Sequence, residues 1–112
     1  ILDNKLILHM FQRSADVVLG VPSNICQYAA LTMALAQVLK CDAFEYVHSF
    51  SDAHIYLNQM PAVEIMLTRE PRPFPTMTID ESVDDLFSFR REHFTLSDYH
   101  PWPGIKGIPL SI

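Results

Sequence analysis

The sequence predicts a layered fold of the α/β or α+β class, in which helices pack against β-sheet. Segments rich in β-branched and aromatic residues alternate with helical segments along the chain. Hydrophobic residues make up 49% of the 112 residues and charged residues 19%, a composition typical of globular proteins. Because no internal repeat or low-complexity stretch is present, residues 1–112 are expected to form part of one domain without an internal boundary.

The first half of the chain is predicted to contain a long strand and a helix. Residues 5–19 are rich in β-forming residues and contain no glycine or proline, which favours a strand. The Gly-Val-Pro turn at 20–22 ends it, and Ser23 or Asn24 is expected to cap the following helix. This helix runs to about Lys40 and is apolar on nearly all sides, so we expect it to be buried.

The second half is predicted to contain shorter elements. A second strand is expected at 44–57, irregular around 49–52, and a helix at 61–70 with Pro61 in its first turn. The PRPFP stretch at 71–75 breaks the chain. Beyond it, the sequence predicts a short strand at 76–79, a short helix at 82–89, a last strand at 94–99 and an irregular tail at 100–112.

Charge, hydropathy and cysteine content exclude several classes of protein. The formal net charge is -5 and no basic block occurs, so no nucleic-acid surface is expected. Without an apolar run long enough for a membrane span or a signal peptide, we expect a cytoplasmic protein without a membrane partner. Cys26 and Cys41 show no metal-type spacing and are expected to be reduced thiols, on or just after a helix. The first residue, Ile1, suggests a fragment or a processed product.

A first group of polar residues interrupts the predicted strand and its turn. It comprises Arg13, Ser14, Asp16 and Asn24. A guanidinium and a hydroxyl suit a phosphate, and the amide of Asn24 can match a lactam edge such as that of uracil. Since neighbouring strand residues point to opposite faces, Arg13 and Ser14 converge only if the strand is bulged there. The alternative is an edge strand with an ion pair between Arg13 and Asp16.

A second group of polar residues alternates along the second predicted strand. Asp52, His54, Tyr56 and Asn58 share one face if that strand is continuous. Half-buried histidine and tyrosine side chains can bind a sugar hydroxyl, although a solvated strand face is the alternative. His54 and Asp52 lack a third ligand at suitable spacing, so no metal site is expected. Cys26 is not expected to be a nucleophile, since we place it in a buried helix without access or a positive environment.

Four ordered motifs, at matching spacing, resemble those of the thymidylate synthase family. They are QRSADVVLGVPSNI at 12–25, SDAHIYLN at 51–58, TREPRPFP at 68–75 and YHPWPGIKGIPLSI at 99–112. The resemblance covers essentially the whole chain, but only the C-terminal part of that family's subunit. It implies a mixed, bulged β-sheet packed with helices, and a homodimer formed through this sheet.

The resemblance also implies a role for each polar group. Arg13 and Ser14 are expected to bind the phosphate of dUMP, and His54 and Tyr56 its 3′-hydroxyl. The expected catalytic residues, which also bind the substrate, are Asp16 at the pyrimidine–folate end of the site and Asn24 at the uracil edge. The C-terminal tail is expected to fold over the cofactor, 5,10-methylenetetrahydrofolate.

The implied reaction transfers a one-carbon unit to C5 of dUMP and reduces it, giving dTMP and dihydrofolate. The family's nucleophile is a cysteine in a Pro-Cys-His motif upstream of QRS; that motif is absent here, and neither Cys26 nor Cys41 aligns with it. The partner-subunit arginines that bind the phosphate also lie upstream. We therefore expect this chain to supply the dUMP-binding half of a site and to be inactive alone, needing a second copy or the missing N-terminal part.

Two alternatives stay open. A pyrimidine nucleotide hydroxymethylase of the same fold would stop at the hydroxymethyl stage, although Asn24 disfavours the cytosine-directed members, which carry an aspartate there. A non-catalytic dUMP-binding or scaffold chain would complement an N-terminal partner. Ser23, where the family usually has phenylalanine, and Phe50-Ser51, in place of a glycine pair, are departures at the folate side.

Overall fold

The computed structural model describes residues 1–110, and its helices and strands confirm the predicted α/β class. Six elements follow one another: β1 (Lys5–Asp16), α1 (Gly20–Val38), β2 (Asp42–His54), α2 (Met60–Leu67), β3 (Thr76–Ile79) and β4 (Phe94–Ser97). Short 3₁₀ turns lie at Leu57–Gln59, Leu86–Ser88 and Arg91–His93. The last two residues of the predicted tail, 111 and 112, lie outside the described residues.

The strands form two separate two-stranded sheets. β1 and β2 pair in parallel, with α1 as the crossover that parallel pairing requires, whereas β3 and β4 pair antiparallel. Both kinds of pairing implied by a mixed sheet are therefore present within residues 1–110, but in two sheets. The parallel pair is the one that positions the candidate site, because the carboxyl ends of β1 and β2 meet at one edge of the sheet.

The parallel pair contains a bulge, as expected, but at the opposite end from the predicted one. The register shifts by one residue between Leu6 and Ile7, where Phe44 of β2 is the extra residue. The register does not shift at Arg13 and Ser14, so the prediction of a bulge at these two residues is wrong. The predicted irregularity at 49–52 is also wrong, since β2 remains paired with β1 on both sides of it.

Helix α1 begins earlier than predicted. Gly20 is its first residue and Leu19 its N-cap, without a side-chain capping bond, so Ser23 and Asn24 lie inside the helix and cap nothing. Pro22 fits in the first turn because its missing N–H would have had no partner there. This early start places Asn24 one turn into the helix, pointing back towards the end of β1.

Other boundaries differ from the predictions mainly at element ends. β1 and β2 end three residues earlier than predicted, and α2 also ends three residues earlier. The helix predicted at 82–89 is only the 3₁₀ turn Leu86–Ser88. The strand β3 and the place of Pro61 in the first turn of α2 are confirmed.

The core is small, and most of its side chains are short. The buried hydrophobic residues are Ala15, Val18, Ala34, Ala36, Ala62 and Val83. In α1 only Thr32, Ala34 and Ala36 are buried and Ile25 is 43% exposed, so the prediction of a fully buried helix is wrong for this chain. The physical reason is that the β1–β2 sheet covers one side of α1 and leaves the other open.

Both cysteines are free thiols, as predicted, Cys26 on α1 and Cys41 just after it. Cys26 is exposed, however, so the expectation that it is buried is wrong. Among the helices of residues 1–110, none combines the length and apolar character needed to cross a membrane.

We expect the isolated chain to associate with itself rather than remain a soluble monomer. A folded chain of 12.8 kDa typically exposes about 6,300 Å², whereas this chain exposes 8412 Å² and has a radius of gyration of 16.4 Å. On the face of β1 turned away from α1, Ile7 and Phe11 are 46% and 67% exposed. Light scattering after gel filtration should give a mass above that of one chain, and Phe11→Ser should lower it. A stable monomer at micromolar concentration would contradict this packing argument.

Candidate active site

The predicted site residues lie where the parallel strands end. Ser14 pairs with Asp52 and Asp16 with His54, so these four residues occupy the carboxyl edge of the β1–β2 sheet. Ligands of open α/β sheets bind in this position, outside the carboxyl ends of the strands. The strand-end cluster, as we name it here, consists of Ser14, Asp16, Asn24, His54 and Tyr56.

Asp16 is the most constrained member of the strand-end cluster. Its Oδ1 accepts hydrogen bonds from the backbone N–H groups of Val18 (3.0 Å) and Leu19 (3.1 Å), and its Oδ2 accepts one from Gln59 Nε2 (3.0 Å). Burial acts to raise the pKa of Asp16, but the hydrogen bonds from Gln59, Leu19 and Val18 and the nearby His54 outweigh it and lower the pKa below its usual 3.8. Asp16 is therefore an ionised carboxylate with a fixed orientation at neutral pH.

His54 and Tyr56 form an aromatic pair beside Asp16. Their rings meet edge to face with centroids 5.0 Å apart, and His54 Nδ1 lies 3.4 Å from Asp52 Oδ1. Both residues are half buried, the condition under which such side chains can bind a sugar hydroxyl. Because β2 ends at His54, however, Tyr56 and Asn58 lie beyond the strand, and the predicted four-residue strand face is wrong. Tyr56 nevertheless stays beside His54 because its backbone is extended, with φ -76° and ψ 142°.

The Asn24 side chain is held by Gln12. Gln12 Nε2 donates to Asn24 Oδ1 (3.1 Å) and to the carbonyl oxygen of Ser14 (2.9 Å). Gln12 Oε1 accepts from His48 Nε2 at 2.9 Å, which determines the direction of the glutamine amide. The Asn24 amide therefore has a defined orientation before any ligand binds.

The structure does not bring Arg13 to the same face as the strand-end cluster. Side chains alternate along β1, so Ser14 and Asp16 share the face of Gln12, towards α1, and Arg13 lies on the other face. Both Arg13 and Ser14 are exposed, and a ligand could contact both only at the outer edge of β1. The alternative of an Arg13–Asp16 ion pair is wrong: no such pair occurs within residues 1–110, and both Asp16 oxygens are bound by other groups.

Sequence reasoning missed two glutamines. Gln12 could have been found from strand alternation, because it lies on the same face as Ser14 and Asp16. Gln59 is completely buried and also contacts the C-terminal tail, where its Nε2 donates to the carbonyl oxygen of Pro109 at 3.3 Å. The only sequence signal for Gln59 was its position directly before α2, and that position does not predict these hydrogen-bond partners. Within the described part of the chain, no three His, Cys, Asp or Glu side chains are grouped to hold a metal ion.

The start of the C-terminal tail is attached to the loop that follows α2. Arg72 Nη1 donates to the carbonyl oxygens of His100 (2.9 Å) and Pro101 (3.0 Å), and its guanidinium lies 4.0 Å from the centre of the Trp102 ring. Trp102 Nε1 donates to the carbonyl oxygen of Glu70 at 2.9 Å. Two motifs that are distant in sequence, at 68–75 and 99–112, are thereby joined.

The fold and the site together define an α/β protein with a cluster of polar side chains at the carboxyl ends of its parallel strands, the position at which ligands of open α/β sheets bind. The sequence profile of the thymidylate synthase family matches residues 1–110. This chain therefore belongs to the thymidylate synthase family, and the resemblance seen in its motifs is confirmed. It has a thymidylate synthase-like function within a family of methyltransferases that normally use methylenetetrahydrofolate.

Proposed function

We propose that this chain supplies the dUMP-binding half of a thymidylate synthase site, for the reductive methylation of dUMP to dTMP with 5,10-methylenetetrahydrofolate. The observation that carries the proposal is the fixed orientation of the ionised Asp16. Asp16 pairs with His54 in the sheet and lies on the same side of the sheet as Asn24, whose amide is held by Gln12. The family match over residues 1–110 supports the assignment of the reaction.

Asn24 is the proposed reader of the base. Its amide oxygen can accept from N3–H of uracil, and its amide nitrogen can donate to O4. Gln12 donates to one lone pair of Asn24 Oδ1 and leaves the second lone pair of that carbonyl for the base. An amide held in this way rejects a base with the opposite donor and acceptor pattern, because mismatched polar groups would be buried without partners.

The sugar and the phosphate are assigned to the remaining members of the site. The edge-to-face pair of His54 and Tyr56 offers a ring nitrogen and a phenol to the 3′-hydroxyl. Arg13 and Ser14 are exposed neighbours at the edge of β1, and their guanidinium and hydroxyl donate to phosphate oxygens that lie at that edge.

Asp16 is the proposed catalytic carboxylate at the pyrimidine–folate end. Three hydrogen bonds keep it ionised and oriented, so that it can accept a hydrogen bond from the substrate or from an ordered water without reorganising. The site fits the cofactor because Gln59 brings Pro109 of the tail beside Asp16, where the tail would cover a bound folate. When bound, 5,10-methylenetetrahydrofolate supplies the one-carbon unit and the hydride.

The nucleophile is proposed to come from outside residues 1–112. We assign it to a segment that carries the family's Pro-Cys-His motif, whereas a second copy of this chain is the proposed dimer partner. The exposed apolar residues Ile7 and Phe11 on the sheet face opposite α1 support a homodimer formed through this sheet.

Calorimetric titration of the chain with dUMP tests the binding half of the proposal. Arg13→Ala should weaken dUMP binding by about 10- to 150-fold, since a hydrogen bond to a charged group typically contributes about 1.5–3 kcal/mol. The affinity for deoxyuridine, which has no phosphate, should not change. Arg91→Ala, which removes another exposed arginine, is the matched control. Equal dUMP affinity in the wild-type chain and in Arg13→Ala would remove Arg13 from the phosphate site.

Product analysis tests the reaction in protein that also carries the upstream cysteine. The formation of dTMP and dihydrofolate supports the proposal. Accumulation of 5-hydroxymethyl-dUMP would instead assign the hydroxymethylase activity. Binding of dUMP without either product would indicate a non-catalytic chain.

A further inference from the structure

Gln59 is the largest completely buried side chain among the described residues. Burying an amide is unfavourable unless its polar atoms are hydrogen-bonded, and each of these atoms is bonded here. The partners belong to three separate parts of the chain: Asp16 at the end of β1, the backbone of Tyr56 after β2, and Pro109 in the tail. A buried polar group that joins three segments constrains their relative positions.

The two bonds donated by Gln59 depend on each other. One N–H of Nε2 points to Asp16 Oδ2 at 3.0 Å, and the other points to the Pro109 carbonyl at 3.3 Å. Oε1 is held in place by the Tyr56 N–H at 3.3 Å. If the amide turned to release Asp16, its oxygen would face a carboxylate or a carbonyl, so a rotation of this side chain disrupts both bonds.

The tail needs such an attachment because its packing against α2 is loose. A cavity of about 200 Å³ lies between the tail and α2, lined by Pro61, Ala62 and Ile65 of α2 and by Ile105 and Ile108 of the tail. At its start the tail is attached through Trp102 and Arg72. Gln59 provides the attachment near its end, at Pro109.

From these contacts we propose that Gln59 is a positioning residue that couples the seating of the C-terminal tail, residues 99–110, to the orientation of Asp16. When the tail is seated, Asp16 Oδ2 is held; when Gln59 is displaced, the tail end and the carboxylate are released together. The benefit of this coupling for catalysis rests on the proposed function, but the coupling itself is a property of the folded chain.

Trypsin cleavage after Lys106, an exposed residue in the tail, measures how often the tail opens. Gln59→Glu keeps the acceptor for the Tyr56 N–H but removes both donors, and should raise the cleavage rate at Lys106 by about tenfold or more. Cleavage after Lys40, an exposed residue in the turn that follows α1, is the internal reference for protease access outside the tail. Gln37→Glu is the matched control, because Gln37 Nε2 also donates to two carbonyl oxygens, those of Asp80 and Val83, away from the tail.

A second variant separates coupling from a merely structural role. Asp16→Asn does not touch the tail, yet it should also speed cleavage at Lys106, because the new amide would present N–H groups to Gln59 Nε2.

Each result bears on the proposal without any measurement of turnover. Selective cleavage at Lys106 in both Gln59→Glu and Asp16→Asn supports coupling. If the Gln59→Glu variant unfolds, cleavage at Lys40 rises as well, and the test of coupling then rests on the Asp16→Asn variant alone. An unchanged rate at Lys106 in Asp16→Asn would overturn the proposal, even if dUMP binding and the proposed function hold.

Discussion

Incubated with dUMP and 5,10-methylenetetrahydrofolate, the 112-residue chain should form no dTMP, although it should still bind dUMP. The reaction needs a thiolate placed to attack C6 of the base. Cys26 follows Asn24 by two residues on α1, and residues with this spacing lie on opposite sides of a helix. It therefore points away from any base that Asn24 holds.

Cys41 is at the wrong end of the sheet. It directly precedes Asp42, which pairs with Lys5 at the start of β1, whereas Asp16 is at the end of that strand. At about 3.3 Å per residue, these ends are separated by roughly 35 Å. Neither cysteine can thus reach a base at the strand-end cluster within one chain.

The measurement is product formation followed by chromatography of labelled nucleotide. Cys26→Ser and Cys41→Ser should likewise form no product, whereas addition of a segment that carries the family's Pro-Cys-His motif should produce dTMP. The same segment with serine in place of that cysteine is the control. If the isolated chain formed dTMP and either serine variant abolished this activity, the result would contradict the mechanism.

In the active protein, Asn24→Asp should weaken dUMP use by roughly 5- to 150-fold and improve dCMP use relative to it, since losing a paired buried hydrogen bond costs about 1–3 kcal/mol. The change replaces the donor that faces O4 with an oxygen. A Cβ placed on Gly20 would lie 3.6 Å from Asn24 Oδ1 and 3.7 Å from Asp16 Cβ, so the new carboxyl and Asp16 both lie beside Gly20. Two neighbouring carboxyl groups favour a protonated form of one, which can suit a cytosine edge.

The local structure should survive this substitution. Gln12 Nε2 can donate to the new carboxyl oxygen as it does to Asn24 Oδ1, so an altered preference would report base recognition rather than a collapsed site. Gln27→Glu, an exposed position on α1, introduces the same change of charge and is the matched control. Steady-state kinetics on dUMP and dCMP make the comparison. Unchanged values for both nucleotides would remove Asn24 from base recognition.

The sequence by itself determined the class of fold, the order of most elements and the family. β1 and β3 were predictable because β-branched and aromatic residues favour extended backbone, and Pro61 marked the first turn of α2. The strand-end cluster could also be named in advance, because its polar residues interrupt apolar segments and carry the family's motifs. These signals are local, so a single stretch of residues contains them.

Only the tertiary structure decided which groups hold those residues. Gln59 and Asp16 are 43 residues apart, and Gln12 and His48 are 36 residues apart, so no pattern within one stretch of sequence predicts their hydrogen bonds. Such contacts depend on the register of β1 against β2 and on the path of the tail. The bulge likewise formed at Phe44 rather than at Arg13, because register is a property of the strand pair. Burial of α1 failed as a prediction for the same reason: an apolar helix is buried only where the fold provides something to cover it.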